Sequence, residues 1–570
     1  MVVQLRVVGA AHRGKPAPWI VLVALLLCAQ SLRAQTFHGT VRDSASQQPI
    51  AGAVMMFLDS SHTVLARRIT DEHGQFAAAV NGAPRFARVV RIGFLPREIG
   101  LPSAAGAPVT IDLAMLRVPT MLGTVDIREQ SRCGKRSDRA AALGLWEQAR
   151  AGLLATVVAR ETNTASIHRL TFERTFDGAS DKITRFVVSA DSATGAGKSF
   201  NASRSAKDFI ANGFASDSGD DRILYGPDAD VLLDDAFAAG YCFRLAAKVK
   251  SRQTEVGLAF SAADDHRSHG RVDIDGTLWV DTAARAIRDI EYQYVGLPRA
   301  LDEYHPGGLI SFRQMSNGVV MIDRWYIRNV GGLQDTVAGS TGAHERVWFF
   351  ASENGGDLAR AEWPDGQMWR APLGSLRIRA TTAAGAPAVG ALIGLPGTPY
   401  SGMADANGEI RIAELEPGPY AVNVMTPPLA DIGLGIPTGL KFVAVRDSTY
   451  QATLKVPTPA AWVADRCVAD RQWDVRDSVF VVGRVVNSRG TPVAGVTVRF
   501  FVQASAGQWS LLSDFYTTGA DGVFQSCNYA YVPGDAIRVQ ASMPGQKPFM
   551  TPVPLTGKLS TILVHLPPAP

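Results

Sequence analysis

Short runs in which apolar and polar residues alternate recur along most of the chain, with turn residues between them. Residues 480–486 read Phe-Val-Val-Gly-Arg-Val-Val, and residues 496–501 read Val-Thr-Val-Arg-Phe-Phe. Alternation with a period of two is typical of a strand that buries one face. The chain is therefore predicted to be mainly β.

One longer pattern occurs three times. A turn with the sequence Pro-x-x-Gly begins at Pro49, Pro387 and Pro492, and each copy is followed by a turn that ends in an Asp, Asn or His next to Gly. Asp and Asn tolerate the bends of a tight turn, and Gly supplies its positive φ. Short strands separated by such turns predict an immunoglobulin-like or transthyretin-like β-sandwich in each copy, and we place the copies at residues 36–118, 374–457 and 478–567.

The first copy resembles the carboxypeptidase regulatory-like family. Residues 37–43, 49–53 and 89–94, with the turn at Gly74, stand in the order of that family. Its sandwich occurs beside the catalytic domain of carboxypeptidase D-type enzymes and at the front of many TonB-dependent receptors. The resemblance implies the fold and an exported bacterial context. It does not extend to a carboxypeptidase catalytic domain or to a receptor barrel.

Residues 131–350 differ from the repeats and are predicted to form an α+β middle domain with a curved antiparallel sheet. Residues 137–158 have the spacing of an amphipathic helix, capped by Ser137. Its predicted apolar face comprises Leu143, Trp146, Leu153, Leu154 and Val157. The strands that follow are loosely similar to the curved sheet of periplasmic lipoprotein-carrier half-barrels.

Residues 1–34 are predicted to be a signal peptide, with basic residues before a short apolar core and a small residue at Ala34. Their removal takes away four basic and no acidic residues, which leaves 53 of each sign. A neutral mature chain does not favour nucleic acid as a partner. No later apolar run is long enough to span a membrane, so the mature chain is predicted to lie in the periplasm or on the outer cell surface.

Four cysteines remain after residue 34, and an even number in an exported chain indicates two disulfides. Three connectivities exist. Pairing Cys133 with Cys242 and Cys467 with Cys527 is favoured, because each pair stays within one segment. Zinc is the alternative, although the chain has no Cys-x-x-Cys pair.

The sequence does not predict an enzyme. No His is followed by Glu three residues later, as a metallocarboxypeptidase requires, and no Gly-x-Ser-x-Gly is present. The spacing of a phosphate-binding loop occurs only at Gly9, Gly14 and Lys15, where Pro16 replaces the required Ser or Thr.

Two segments contain residue types that bind metal. His266 and His269 lie among carboxylates in residues 264–269, and the alternative is a solvated hairpin loop. Asp228 and Asp230 belong to an acidic group that suits calcium in its chemistry but not in its order. No cofactor is predicted, and calcium is kept as the alternative.

Aromatic residues in the middle domain mark the first place to look for a ligand. Trp279, Trp325, Tyr326 and Trp348 either line a groove on the curved sheet or belong to the core. The favoured function is a non-catalytic envelope binding or scaffold protein whose partner is an envelope protein, a peptide or a glycan. The alternatives are a hydrolase or a ligand carrier with its site in the middle domain.

Overall fold

The structure is a computed structural model. It describes residues 34–102, 108–118, 139–162, 164–194, 204–218, 221–263, 271–339, 342–459, 461–462, 480–488, 490–505, 508–526, 536–543, 548–554 and 559–566. The chain divides into two compact units. The first comprises residues 1–168, 178–180 and 192–369, and the second comprises residues 169–177, 181–191 and 370–570.

The first unit begins with seven strands that form the first sandwich. They are β1 (Gln35–Asp43), β2 (Val54–Leu58), β3 (Val64–Ile69), β4 (Gln75–Val80), β5 (Phe86–Val90), β6 (Arg97–Gly100) and β7 (Val109–Met115).

The middle of the chain contains the longest helix and the longest strands. Its elements are α1 (Arg139–Thr162), β8 (Ser166–Phe176), β9 (Ile183–Thr194), α2 (Ala206–Asn212), β10 (Ala215–Ser218), β11 (Asp221–Leu224), α3 (Ala229–Leu233), α4 (Asp235–Gly240), β12 (Tyr241–Leu245), β13 (Glu255–Ala262), β14 (Asp273–Asp281), β15 (Ala286–Val295), a 3-10 helix (Arg299–Tyr304), β16 (Gly307–Gln314), β17 (Val320–Gly339), β18 (Gly342–Glu362) and β19 (Met368–Arg370).

Two further groups of seven strands make up most of the second unit. The second sandwich contains β20 (Gly374–Thr381), β21 (Leu392–Gly394), β22 (Ser401–Met403), β23 (Glu409–Leu415), β24 (Gly418–Met425), α5 (Pro427–Ala430), β25 (Ile436–Ala444) and β26 (Thr449–Lys455). The third contains β27 (Phe480–Val486), β28 (Thr497–Ser505), β29 (Gln508–Thr517), β30 (Val523–Ser526), β31 (Ala536–Ser542), β32 (Phe549–Pro554) and β33 (Leu559–His565).

The three sandwiches have the same topology. In each, the first strand lies between the fourth and the seventh in a three-stranded sheet, and the other four strands form a second sheet in the order third, second, fifth, sixth. The first and seventh strands run parallel, and the first and fourth run antiparallel. These sheets confirm the predicted fold class of three β-sandwich domains flanking an α+β middle domain.

The predicted turns close the sandwiches through side chains as well as glycines. The hydroxyl of Thr70 donates to Ile50 O at 2.6 Å and accepts from Ala53 N at 2.9 Å. Thr518 makes the equivalent pair of hydrogen bonds in the third copy. Gly74 has φ of +69°, and a Cβ there would lie 2.5 Å from Val41 O. Only glycine therefore fits the second turn of the repeat without displacing β1.

Seven consecutive strands, β12 to β18, form an antiparallel meander in the first unit. The large core of this unit lies on one face of the meander, where Leu258, Ile274, Leu278 and Ile290 point toward the helices. Their spacing by two along β13 to β15 puts the intervening residues on the opposite face. This alternation gives the sheet one apolar and one polar side.

Helix α1 is buried on more than the one predicted face. Trp146 and Val157 are buried as predicted, but Ala142, Leu145, Ala149 and Val158 are buried too. The reason is that the sheet covers one side of the helix, and the first sandwich packs on the other through Val54, Val90 and Ile92. The first sandwich and the middle domain thus share a core.

Candidate functional site

The predicted aromatic groove is divided between the two faces of the meander. Leu278 and Val280 point into the core, so Trp279 between them points to the polar face. Trp325 packs against the core, and Tyr326 next to it takes the polar side. The side chain of Trp348 lies outside the described part of β18. Of the three whose side chains the structure describes, Trp279 and Tyr326 therefore share a face, and Trp325 lies on the other.

A closed ion network surrounds Trp279. The guanidinium of Arg252 lies 4.7 Å from the centre of the indole ring and donates to Glu255, Asp289 and Glu291. The indole Nε1 donates to Glu291 Oε2 at 3.1 Å. Burial works against the cation, but the bonds to Asp289 and Glu255 dominate and raise the pKa of Arg252. One guanidinium binds three carboxylates, so the network keeps a net negative charge, but its members are bonded to one another, which favours a structural role.

Tyr326 lies beside a second ion pair on the same face. Burial, and then the negative charge of Glu353, raise the pKa of its phenol. Arg328 lies 3.3 Å from Glu353 and also donates to Tyr304 O at 2.9 Å. A phenol with a raised pKa stays protonated at neutral pH, so Tyr326 is not a ready base or nucleophile.

The acidic segment is explained by helix capping and ion pairing. Asp228 accepts from Val231 N at 2.8 Å at the start of α3, and Asp234 accepts from Ala236 N at 2.8 Å at the start of α4. Asp230 pairs with Arg160 of α1 at 2.8 Å. A carboxylate at a helix N-terminus satisfies free backbone N–H groups and interacts favourably with the helix dipole. Each acid thus has a local function without calcium.

The remaining predicted metal ligands and three of the four cysteines lie outside the part of the chain that the structure describes. His266 and His269 lie outside the described residues, as do Cys133, Cys467 and Cys527. Cys242 lies on β12 opposite Ser261. Among the described side chains, no three His, Cys, Asp or Glu residues come together as a metal site would require.

The second unit contains a large cleft that the sequence did not predict. Its volume is about 910 Å³, within the usual range for ligand sites. One wall is the outer face of the four-stranded sheet of the second sandwich, with Leu392, Asn423 and Met425. The other wall comes from the third sandwich, with Tyr516 and Gln525.

The charged groups of the cleft are already bonded to the backbone. Arg484 donates from Nη1 to Gly433 O at 3.1 Å and from Nε to Asp521 O at 3.0 Å. Asp521 Oδ1 accepts from Val523 N at 3.1 Å. With one cation and one anion held in this way, the cleft is electrically neutral.

Aromatic rings on the cleft wall are held in fixed positions. The hydroxyl of Tyr400 donates to Glu414 O at 2.9 Å and accepts from Glu416 N at 3.0 Å. Trp462 packs edge-on against Phe480, with 5.2 Å between ring centres. Such rings offer a preorganised surface, because little side-chain entropy remains to be lost on binding.

The residues of this cleft come from two repeats and the segment between them. Tyr400 and Tyr516 are separated by 115 intervening positions, and neither belongs to a recognisable ligand motif. The one sequence signal was the repeat itself. It places the two sheets but not the gap between them.

No helix among the described residues is long and apolar enough to cross a membrane. No protein-family profile matches the chain, and no curated protein matches it.

Comparison with solved structures gives low similarities. The dioxygenase domain of a dioxygenase carbohydrate-binding protein fusion from Streptomyces sp. SirexAA-E aligns at 21% identity and a TM-score of 0.15, covering 18% of this chain and 86% of that chain. The shaft pilin SpaA of Lactobacillus rhamnosus GG aligns at 9% identity and a TM-score of 0.13, covering 34% and 97%. The TIE protein of Bacillus anthracis aligns at 11% identity and a TM-score of 0.14, covering 61% and 64%. With TM-scores this low, the similarities support no functional conclusion.

Proposed function

We propose that the mature chain is a non-catalytic binding or scaffold protein of the bacterial cell envelope, built on carboxypeptidase regulatory-like sandwiches. The observation that supports this function best is the neutral cleft of about 910 Å³ in the second unit. It combines fixed aromatic rings, apolar side chains and a few polar groups, which is the usual make-up of a ligand site.

The ligand that fits the cleft best is an extended, uncharged peptide segment of another envelope protein. The cleft is lined by one cation, Arg484, and one anion, Asp521, so it has no net charge that would favour an ionic ligand. Strand β22 lies at the edge of its sheet beside the cleft, and Ser401 on this strand contributes to the lining. An edge strand offers backbone groups that an extended peptide can pair with.

Export is part of the same proposal. Residues 1–34 act as the signal peptide, and the mature chain carries the disulfides Cys133–Cys242 and Cys467–Cys527. Disulfides persist in the oxidising envelope and not in the cytosol.

The two alternative functions have less support. A carrier of the half-barrel type needs an apolar cavity under its sheet, and here helix α1 packs against that face through Leu145 and Leu153. A hydrolase needs titratable groups that converge in a pocket. The described candidates Asp228 and Asp230 are engaged with Val231 N and Arg160 instead.

An array of uncharged and charged octapeptides, probed with the mature chain, tests the proposal. Uncharged peptides with apolar residues are expected to bind, and the Ser401→Trp variant, which fills the cleft, is expected to lose them. Thr453→Trp, on the exposed sheet of the same sandwich, serves as the control and should retain binding. Binding that is equal for Ser401→Trp and the wild type would overturn the cleft as the site. Cleaved peptides would favour the hydrolase, and binding of glycans alone would replace the peptide as ligand.

A further inference from the structure

The four-stranded sheet of the third sandwich exposes an apolar outer face. Phe515 is 67% exposed, Leu511 is 52% exposed and Met550 is 42% exposed. The alternating neighbours Val498 and Phe500 are buried in the core of the same sandwich.

Cross-strand register makes this face continuous. Arg499 lies opposite Phe515 and Gln540, and Gln540 lies opposite Met550. In the next row Phe501 lies opposite Leu511 and Arg538. We call this surface the β29 face, and define it as Arg499, Phe501, Trp509, Leu511, Phe515, Arg538 and Met550.

The β29 face is also cationic. The guanidinium of Arg538 lies 4.2 Å from the centre of the Trp509 ring, and Arg499 is exposed. No carboxylate is present among the side chains that the structure describes on this face. An apolar surface with two guanidiniums favours a partner that carries both apolar and acidic side chains.

The same face is covered in the first sandwich. Met56 occupies the position of Arg499, since each lies four residues after the turn glycine, Gly52 or Gly495. Val54 belongs to the core that includes α1, and Met56 packs against that core.

Helix α1, which covers this face of the first sandwich, is amphipathic, with an apolar side toward the sandwich and an acidic residue at its edge. Ala151 and Leu154 of α1 face Met56 and Val90 across a cavity of about 450 Å³. Glu161 in the last turn lies 3.7 Å from Arg67, which occupies the position of Phe515. Within this chain, the outer face of a repeat is therefore completed by a helix with an apolar stripe and an acid at its edge.

We propose that the β29 face is a docking surface for an amphipathic helix with acidic residues, contributed by another protein. The helix lies across β28 and β29 as α1 lies across β2 and β3, with its apolar side chains against Phe515 and Leu511. Its carboxylates pair with Arg499 and Arg538. None of the residues that define the β29 face lines the cleft.

The test uses a fluorescein-labelled peptide of residues 143–162 in which Arg150→Glu and Arg160→Glu make the helix acidic. A basic control peptide carries Glu147→Lys and Glu161→Lys. Fluorescence anisotropy with the full mature chain is expected to show binding of the acidic peptide. The basic peptide is expected to bind with an affinity about tenfold lower, or lower still. The affinity should fall as salt rises from about 0.05 M to about 0.5 M.

Variants of the protein locate the peptide. Phe515→Ser and Arg499→Glu are each expected to lower the affinity for the acidic peptide about tenfold or more. Leu563→Ser, on the exposed side of the other sheet of the same sandwich, should leave binding unchanged. All three positions lie on the surface, and unchanged circular dichroism verifies folding.

Equal binding of the two peptides, or binding that neither Phe515→Ser nor Arg499→Glu reduces, would overturn the proposal. If the peptide took the place of α1 on the first sandwich, neither substitution would reduce its binding. Sedimentation of the protein alone distinguishes the remaining occupant: a dimer that Phe515→Ser abolishes would identify a second copy of this chain in place of a helix and would overturn the proposal as well.

Discussion

Arg91 donates a hydrogen bond from Nη2 to Gln314 Oε1 at 2.9 Å, which joins the end of β5 in the first sandwich to the end of β16 in the meander. The same guanidinium donates to Ala51 O at 2.9 Å and to Arg285 O at 2.7 Å. Burial, and then the positive charge of Arg285, lower the pKa of Arg91 to about 10. This half-buried cation, held by three acceptors, links the sandwich to the middle domain.

Arg91→Met should therefore destabilise the first unit. Loss of three hydrogen bonds, with their half-buried acceptors left behind, is expected to cost about 2–4 kcal/mol. Urea unfolding of the mature chain measures the change. Arg88→Met, on exposed Arg88 three residues earlier, is the control and should change stability by less than about 0.5 kcal/mol. Equal effects of the two substitutions would contradict the linking role of Arg91.

A buried ion pair makes the second unit sensitive to a single carboxylate. Arg174 Nη2 lies 2.8 Å from Glu416 Oε1, and the two side chains are 10% and 0% exposed. Arg174 also donates to Pro417 O at 2.7 Å. Glu416→Ala leaves the guanidinium buried without this carboxylate, and about 3–5 kcal/mol of stability should be lost.

The surface pair of Arg411 with Glu409 provides the comparison for Glu416. Arg411 is 71% exposed, and exposed pairs contribute little to stability. Arg411→Ala should leave the thermal unfolding of the second unit nearly unchanged. If Glu416→Ala is equally mild, the buried pair does not stabilise the unit.

Substitution by Ala is expected to cost different amounts of stability at two turn glycines of the second sandwich. Gly408 has φ of +74°, and a Cβ there would lie 2.5 Å from Ala380 O, whereas Gly385 has φ of +85° with no atom within 4 Å. Gly385→Ala should cost only the backbone strain, about 1 kcal/mol. Gly408→Ala should cost clearly more, because it adds a steric clash with the first strand. Melting temperatures of the two variants measure the difference, and the opposite ranking would contradict this account.

Because two of its tyrosines are buried, the first unit is expected to lose stability at alkaline pH. Burial is the main cause that raises the pKa of Tyr292 and Tyr294 above the usual 10.0. In the unfolded chain both phenols ionise near pH 10, while the folded state keeps them protonated. Stability is therefore complete below pH 10 and falls as the pH rises above it. Tyr292→Phe should weaken this dependence, measured by unfolding at pH 9, 10 and 11. A pH dependence that is unchanged in Tyr292→Phe would rule out this phenol as a cause.

The repeats were predictable because their signals are local. Pro49, Gly52 and Gly74 encode their turns through their own backbone preferences, and alternation encodes the strands between them. The extent of the meander was not predictable in the same way. Gly331 and Gly332 are expected to end a strand. Strand β17 nevertheless continues through them, because they pair with Phe350 and Phe349 of β18.

The surfaces proposed for binding could not be read from the sequence, because each depends on tertiary contacts. Trp279 and Trp325 look equivalent in the chain, and only the register of β14 and β17 places them on opposite faces of the sheet. Asp228 and Asp230 have the composition of a metal site, and only the position of α1 shows that Arg160 pairs with Asp230. The cleft and the β29 face exist because distant repeats fold alike but are covered differently.

Hydrogen–deuterium exchange of the mature chain, with and without an uncharged peptide selected from the array, tests the central claim most directly. If the cleft binds the peptide, exchange should be slower in β22, β24 and β25 beside the cleft and unchanged in β14 and β17. Slower exchange around Trp279 and Tyr326 instead, with the cleft strands unchanged, would contradict this claim and move the ligand site to the polar face of the meander.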